Sequence, residues 1–298
     1  MKILITGANG LLGYKLVHLL SQQEDLEVIA TGRRAIADLP PKVVFYELDI
    51  TDPLQTTTVV HRTKPEVIIN TAAMTQVDQC EGERTLCWKA NVTGLENLVA
   101  ACSKDQIHLV HISTDFIFDG SHGPLDETAR PDPVNFYGES KLAGEKVVQE
   151  STIPWTILRT VLVYGVTPDM SRSNIVLWVK KSLEDGKTIH VVNDQWRTPT
   201  LAEDLAMGCL LAAKKKAKGL YHISGEEMMT PYDIAMQTAD FYKLNKSLIQ
   251  ATDSTKFKQP ARRPLKTGFI ITKAKTELGF QPHSFKEGLA VVASQLKR

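Results

Sequence analysis

Ile3-Leu4-Ile5-Thr6-Gly7-Ala8-Asn9-Gly10-Leu11-Leu12-Gly13 is the stretch on which the reading of this 298-residue chain turns. A short apolar run predicts a buried strand, Leu11 to Ser21 has helical periodicity, and glycine stands at every third position between them. Such glycines let the backbone turn tightly, approach a pyrophosphate and pack a helix on a strand, while the free N–H groups of the helix N-terminus face the anion. The G-x-x-G-x-x-G spacing departs by one residue from G-x-G-x-x-G, but a strand before and a helix after are the context that motif requires. Gly7, Asn9, Gly10, Leu11, Leu12 and Gly13 are therefore candidate dinucleotide contacts.

Outward from this turn, strand and helix patterns alternate. Glu27 to Ala30, Val43 to Leu48, Val67 to Asn70, a stretch beginning at Ile107 and Trp155 to Leu158 read as strands. Pro53 to Thr63, Thr85 to Lys104 and a segment entered at Pro133 read as crossover helices. The expectation is an α/β fold, a Rossmann-like doubly wound parallel sheet, with a smaller C-terminal α/β lobe. Residues 1–165 would form the dinucleotide-binding domain, taking further segments from 188–222, and 166–298 would mainly form the substrate lobe. There, Asn174 to Glu184, Leu201 to Ala213, Pro231 to Tyr242 and Phe285 to Leu296 read as helices, and Thr188 to Val192 and Leu220 to Ser224 as strands.

The strand ends narrow the cofactor. Thr31-Gly32-Arg33-Arg34 follows the second strand, where a carboxylate would accept a ribose 2′-OH; guanidinium groups instead suit a 2′-phosphate. Arg33 and Arg34 thus favour NADPH/NADP, with NADH as the alternative. Asp49 and Ile50 after the third strand are placed to flank an adenine, and Ala72, Ala73 and Met74 after the fourth to line the middle of the cofactor.

Tyr137-Gly138-Glu139-Ser140-Lys141 puts a phenol and an ammonium four residues apart on one helix face. A tyrosine of ordinary pKa near ~10 is a poor acid–base catalyst at neutral pH, and a neighbouring cation is expected to draw it toward the working range. His108 to Asp115 reads as a buried strand ending in small polar residues, so Thr114 could hydrogen-bond the carbonyl that Tyr137 protonates. Tyr137 and Lys141 would also touch the cofactor.

Composition sets bounds on the remaining classes. With 43% hydrophobic residues and a net charge of +1, nothing argues for nucleic acid or an anionic membrane as partner. The four cysteines, Cys80, Cys87, Cys102 and Cys209, show no metal-ligand spacing, and the histidines no metal constellation, so no metal and a reducing compartment are expected. The apolar run after Met1-Lys2 is too short for a signal peptide or membrane span, which reads as cytoplasmic.

The glycine-rich turn, Thr114 within Ser113-Thr114-Asp115-Phe116-Ile117-Phe118-Asp119-Gly120, and Tyr137 with Lys141 together resemble the extended short-chain dehydrogenase/reductase superfamily, over nearly the whole chain. Within it, that segment, with Val192-Asn193-Asp194-Gln195 running on to Pro199-Thr200 and Ala261-Arg262-Arg263-Pro264, resembles the dTDP-4-dehydrorhamnose reductase family. The resemblance implies NADPH-dependent reduction of the C4 ketone of a nucleotide-linked 6-deoxy sugar. Tyr137 would be the proton donor, and Asp115, Trp196, Arg197 and Arg263 would contact the nucleotide-sugar substrate. Sugar-nucleotide dehydratases carry Asp-Glu after the threonine, whereas Asp115 is followed here by Phe116, which disfavours dehydration.

Two departures bear on substrate and role. The reductases usually carry Ser-Trp after the Arg-Thr that ends the sixth strand, but Val161-Leu162 follows Arg159-Thr160, leaving the sugar open; Trp196 could supply a replacement stacking surface. Ile223-Ser224-Gly225 with Met229-Thr230 and Tyr232 is similar to the regulatory β subunit of methionine adenosyltransferase, an NADP-binding relative that serves another enzyme. A non-catalytic regulatory role is therefore the alternative. Homodimers are common for such folds.

Overall fold

The computed structural model describes residues 1–298 except 37, 169–173, 257–258 and 298. Seven parallel strands form the central sheet: β1 (Lys2–Thr6), β2 (Glu27–Gly32), β3 (Val44–Glu47), β4 (Val67–Asn70), β5 (His108–Thr114), β6 (Trp155–Thr160) and, out of turn, β10 (Gly219–His222). Their spatial order is β10-β6-β5-β4-β1-β2-β3, and every pairing is parallel. Chain direction reverses its march at β1, so the ends of β1 and β4 flank a topological switch point, the crevice where open α/β sheets take ligands.

Both faces are covered, which is why the strands are apolar on both sides. Ile3 and Ile5 point to one face, against α1 (Leu11–Ser21) and, further along the chain, α8 (Ala202–Lys215). Leu4 points to the other, against α2 (Pro53–Thr63) and α5 (Gly94–Ser103). Two short helices, α3 (Val77–Gly82) and α4 (Arg84–Trp88), precede α5, and α6 (Phe136–Gln149) completes this second layer, with Val148 in the same core.

The predicted helix over Thr85 to Lys104 is broken: α4 gives way to a π turn at Lys89–Thr93 before α5. Pro133 lies outside α6, whose first turn is instead capped by Asn135, its Oδ1 accepting the Gly138 N–H at 2.8 Å. Arg159 lies inside β6 and is 2% exposed, with its guanidinium in a buried pair to Glu145 at 2.9 and 2.6 Å.

The remaining chain packs beyond the strand ends. A two-residue ladder joins β7 (Val163–Tyr164) to β9 (Thr200–Leu201). β8 (Ile189–Val192) pairs in parallel with β11 (Ile249–Thr252), and α7 (Ile175–Glu184) packs with α9 (Pro231–Phe241) over this pair. α10 (Phe285–Leu296) closes a further cluster with Tyr164 and Leu201. Among the described residues no helix is long and apolar enough to cross a membrane.

Candidate active site

The glycine-rich turn sits at the end of β1, and α1 starts at Gly10 with no side-chain cap and no acidic residue in its first turn. Its first N–H groups are thus left for a ligand, and the first turn itself carries no carboxylate. Gly13 is packed so tightly that an added β-carbon would lie 2.3 Å from the Gly7 carbonyl oxygen. Asn9 reaches from the turn to the end of β2, its Nδ2 donating to Ala35 O at 3.2 Å. Arg33 and Arg34, just beyond, are exposed. Asp49 closes a tight turn by accepting from Thr51 N at 2.9 Å and Thr51 Oγ1 at 2.8 Å, while Ile50 is buried against Gly94. Ala72, Ala73 and Met74 follow β4 as half-buried backbone.

The Met74 backbone is held in a way the sequence reading did not foresee. Asn91, on the π turn, accepts from Met74 N at 2.8 Å and donates to Met74 O at 3.0 Å, and also donates to Ser140 Oγ on α6 at 2.9 Å. A π turn widens the helix by one residue and swings that side chain inward; the only hint was an Asn-Val-Thr-Gly run inside an otherwise helical stretch.

Thr114, at the end of β5, accepts from Phe116 N at 3.2 Å and donates to Asp115 Oδ1 at 3.2 Å. Tyr137 comes close because Gly138 presses α6 on the turn after β5, a β-carbon there standing 2.1 Å from Phe116 O. The Phe116 and Tyr137 rings meet edge to face, 5.7 Å between centroids. Cys80 and Cys87 are buried against the same tyrosine.

Burial pushes the Tyr137 phenol above its ordinary pKa, and the hydrogen bond from Thr114 opposes this only in part. The sequence expectation that the neighbouring ammonium would dominate is not met. Lys141 turns its Nζ into the sheet, donating to Ile112 O at 2.7 Å and lying 3.3 Å from His111 Nε2. Desolvation lowers its pKa to about 8, against the opposing pull of Glu145 and Cys87. At neutral pH the site therefore holds a protonated phenol beside a buried cation.

Of the residues expected at the sugar and diphosphate, Asp115 and Arg197 are engaged inside the protein. Asp115 is 1% exposed; its Oδ2 accepts from Thr267 Oγ1 at 2.5 Å and lies 3.4 Å from Arg197 Nε. Arg197 donates to the carbonyls of Trp196 and Pro264 at 2.7 and 2.6 Å. Burial raises the Asp115 carboxyl above its usual range, with Arg197 pulling the other way. Trp196, by contrast, is 39% exposed. Arg263 forms a two-point pair with Asp78 at 2.6 and 2.7 Å, tying the C-terminal segment to α3. Where the usual tryptophan is missing, Leu162 takes a left-handed backbone with φ of 38°. Among the described residues no group of three or more His, Cys, Asp or Glu is placed to hold a metal.

This arrangement matches known proteins over its full length. The RmlD substrate binding domain family matches residues 1–298. The dTDP-4-dehydrorhamnose reductase of Aggregatibacter actinomycetemcomitans is 31% identical, covering 97% of each chain. The methionine adenosyltransferase 2 subunit beta of Mus musculus is 32% identical, over 97% of this chain and 86% of its own. Among solved structures, a dTDP-4-dehydrorhamnose reductase from Bacillus anthracis in complex with NADP superposes with a TM-score of 0.84 at 30% identity, covering 99% of both chains. From the opening glycines to the last helix, this chain belongs to the RmlD family, the dTDP-4-dehydrorhamnose reductase homologues of the extended short-chain dehydrogenase/reductase superfamily.

Proposed function

We propose that this NADP-dependent oxidoreductase reduces the C4 ketone of a nucleotide-linked 6-deoxy sugar to an alcohol. The observation that carries the reading is the convergence of Thr114, Tyr137 and Lys141 on the same edge of the sheet as the Gly7–Gly13 turn. When bound, NADPH supplies the hydride. Tyr137, neutral because it is buried, gives its proton to the oxygen that becomes the alkoxide; Thr114 turns its hydroxyl from Asp115 to orient that oxygen. Lys141 then stabilises the phenolate left behind and holds the nicotinamide ribose.

Residues 1–165 would hold the cofactor, with the uncapped N-terminus of α1 and the Ala72 to Met74 backbone to receive it and the exposed Arg33 and Arg34 to meet a 2′-phosphate. Residues 166–298 mainly make the substrate lobe. Trp196 offers its exposed indole for stacking and Arg263 a guanidinium near the diphosphate. Asp115 and Arg197 serve at one remove, holding Thr114 and the Trp196 segment in place.

The test is NADPH oxidation by the purified protein with a panel of nucleotide-linked 4-keto-6-deoxy sugars, alongside NADPH binding without sugar. Turnover on one sugar is expected; binding without turnover across the panel overturns the reductase reading. The likeness to the methionine adenosyltransferase subunit favours a second reading, an NADP-binding regulator, for which binding without turnover would be the expected result.

A further inference from the structure

Behind the catalytic face, a row of buried polar side chains crosses the sheet. Thr6 Oγ1 on β1 takes the Ala72 N–H at 3.3 Å and donates to Asn70 Oδ1 on β4 at 2.6 Å. Asn70 Nδ2 lies 3.1 Å from His111 Nδ1 on β5, and His111 Nε2 lies 3.3 Å from Lys141 Nζ on α6. Thr6, Asn70, His111 and Lys141 are each 3% exposed or less. Four buried polar groups joined in series are not packing filler, because each would cost free energy if left without a partner.

The charge on Lys141 selects one protonation pattern for the row. Burial and the adjacent ammonium hold His111 well below its ordinary pKa, so it is neutral and one ring nitrogen accepts while the other donates. Toward an ammonium, Nε2 must be the acceptor, which leaves Nδ1–H to donate to the Asn70 amide oxygen. That donation requires the Asn70 amide to be turned over from the orientation described above, bringing its oxygen to His111 and its Nδ2 to Thr6, two ends that are interchangeable in shape.

The other groups facing Lys141 are already engaged. Glu145, one turn along the same helix, is held by Arg159 in two hydrogen bonds of 2.9 and 2.6 Å. The Cys87 thiol of α4 is held by Ser140 and Asn91, both at 3.4 Å. Tyr137 lies on the same helix, its buried phenol beside the Thr114 hydroxyl. Apart from the Ile112 carbonyl, His111 is the partner that the Lys141 ammonium meets.

We propose that His111 is a positioning residue for Lys141: its neutral Nε2 anchors the ammonium by a hydrogen bond without cancelling its charge, and Asn70, turned with its oxygen toward Nδ1, holds the tautomer that makes this anchor. A carboxylate in that place would hold the lysine equally well but neutralise the field that a phenolate or a ribose hydroxyl is to feel. The proposal rests on the role given to Lys141 above, yet its test needs no sugar substrate.

Two measurements decide it. Nitrogen-15 NMR of the imidazole at pH 7, assigned with the His111→Gln variant, should show the tautomer protonated at Nδ1; protonation at Nε2 overturns the proposal. NADPH titration by fluorescence across pH should show affinity falling as Lys141 loses its proton. In His111→Leu that midpoint should drop by about one pH unit, roughly a tenfold change in the lysine's protonation equilibrium, while His111→Gln, which keeps an acceptor, should restore it. An unmoved midpoint in the leucine variant, or equal shifts in both variants, overturns the proposal. A protein that binds NADPH in this manner but reduces no sugar would refute the reductase reading and leave the role of His111 standing.

Discussion

The Cα of Gly13 rests against the Gly7 carbonyl so closely that a β-carbon would stand 2.3 Å from the oxygen and 2.7 Å from the Ala8 Cα. Both neighbours are backbone and cannot swing aside, so α1 would have to lift from the turn. Gly13→Ala should cost on the order of 1–3 kcal/mol in urea unfolding and weaken NADPH binding more than its loss of stability explains. Equal NADPH affinity in the folded variant would show that the tight α1 contact is not needed for the cofactor.

Tyr137→Phe removes one oxygen from a ring whose packing against Phe116 is otherwise kept. Turnover should fall by roughly 10²–10⁴-fold or more, the range of a general acid, with NADPH affinity nearly unchanged. Undiminished turnover would remove Tyr137 from the mechanism.

Lys141 titrates at about 8 when folded against 10.5 for an ordinary lysine, so the unfolded chain binds the extra proton between these values. Stability lost to the buried charge is therefore fully lost below pH 8 and regained as pH rises toward 10.5. Compared with Lys141→Met, the wild type should gain up to about 3 kcal/mol over that window. Chemical unfolding at pH 7, 9 and 10.5 measures it; a constant difference would mean the lysine is not desolvated.

Among the described residues Arg33 and Arg34 pair with no acidic side chain, and both are exposed just beyond β2. Replacing both with alanine should weaken NADPH binding by about tenfold or more while leaving NADH binding nearly as it was, since a charge-assisted bond to the 2′-phosphate is lost and nothing else. Parallel losses for both cofactors would place the arginines elsewhere.

Wherever a local rule governs, the sequence was legible. Leu11–Ser21, Pro53–Thr63 and Phe285–Leu296 fall where periodicity puts them, and the strands of the sheet are within a few residues of their expected bounds. Long-range pairing was not legible. β11 finds β8 across the intervening α8 and α9, and no alternation in Ile249–Thr252 announces that partner. The π turn at Lys89–Thr93 has the same apolar spacing as the helix it interrupts, so Asn91 looked like an ordinary helical residue. Likewise Tyr137 and Lys141 were readable as a pair on one face, but which of His111, Ile112 or the phenol the ammonium would meet depends on how α6 lies across β5. The balance between burial and charge at Tyr137 followed from that same packing.

β10 reaches the sheet from far down the chain, after the whole of β7 to α8 has been made, and pairs Gly219–His222 with β6. During synthesis the β6 edge therefore stands open, its peptide groups unpaired, until His222 has left the ribosome. A nascent chain halted earlier presents a flat apolar edge that other chains can extend, so a fragment ending at residue 165 should aggregate where the full chain folds. The cofactor half of this protein is thus finished by its other half.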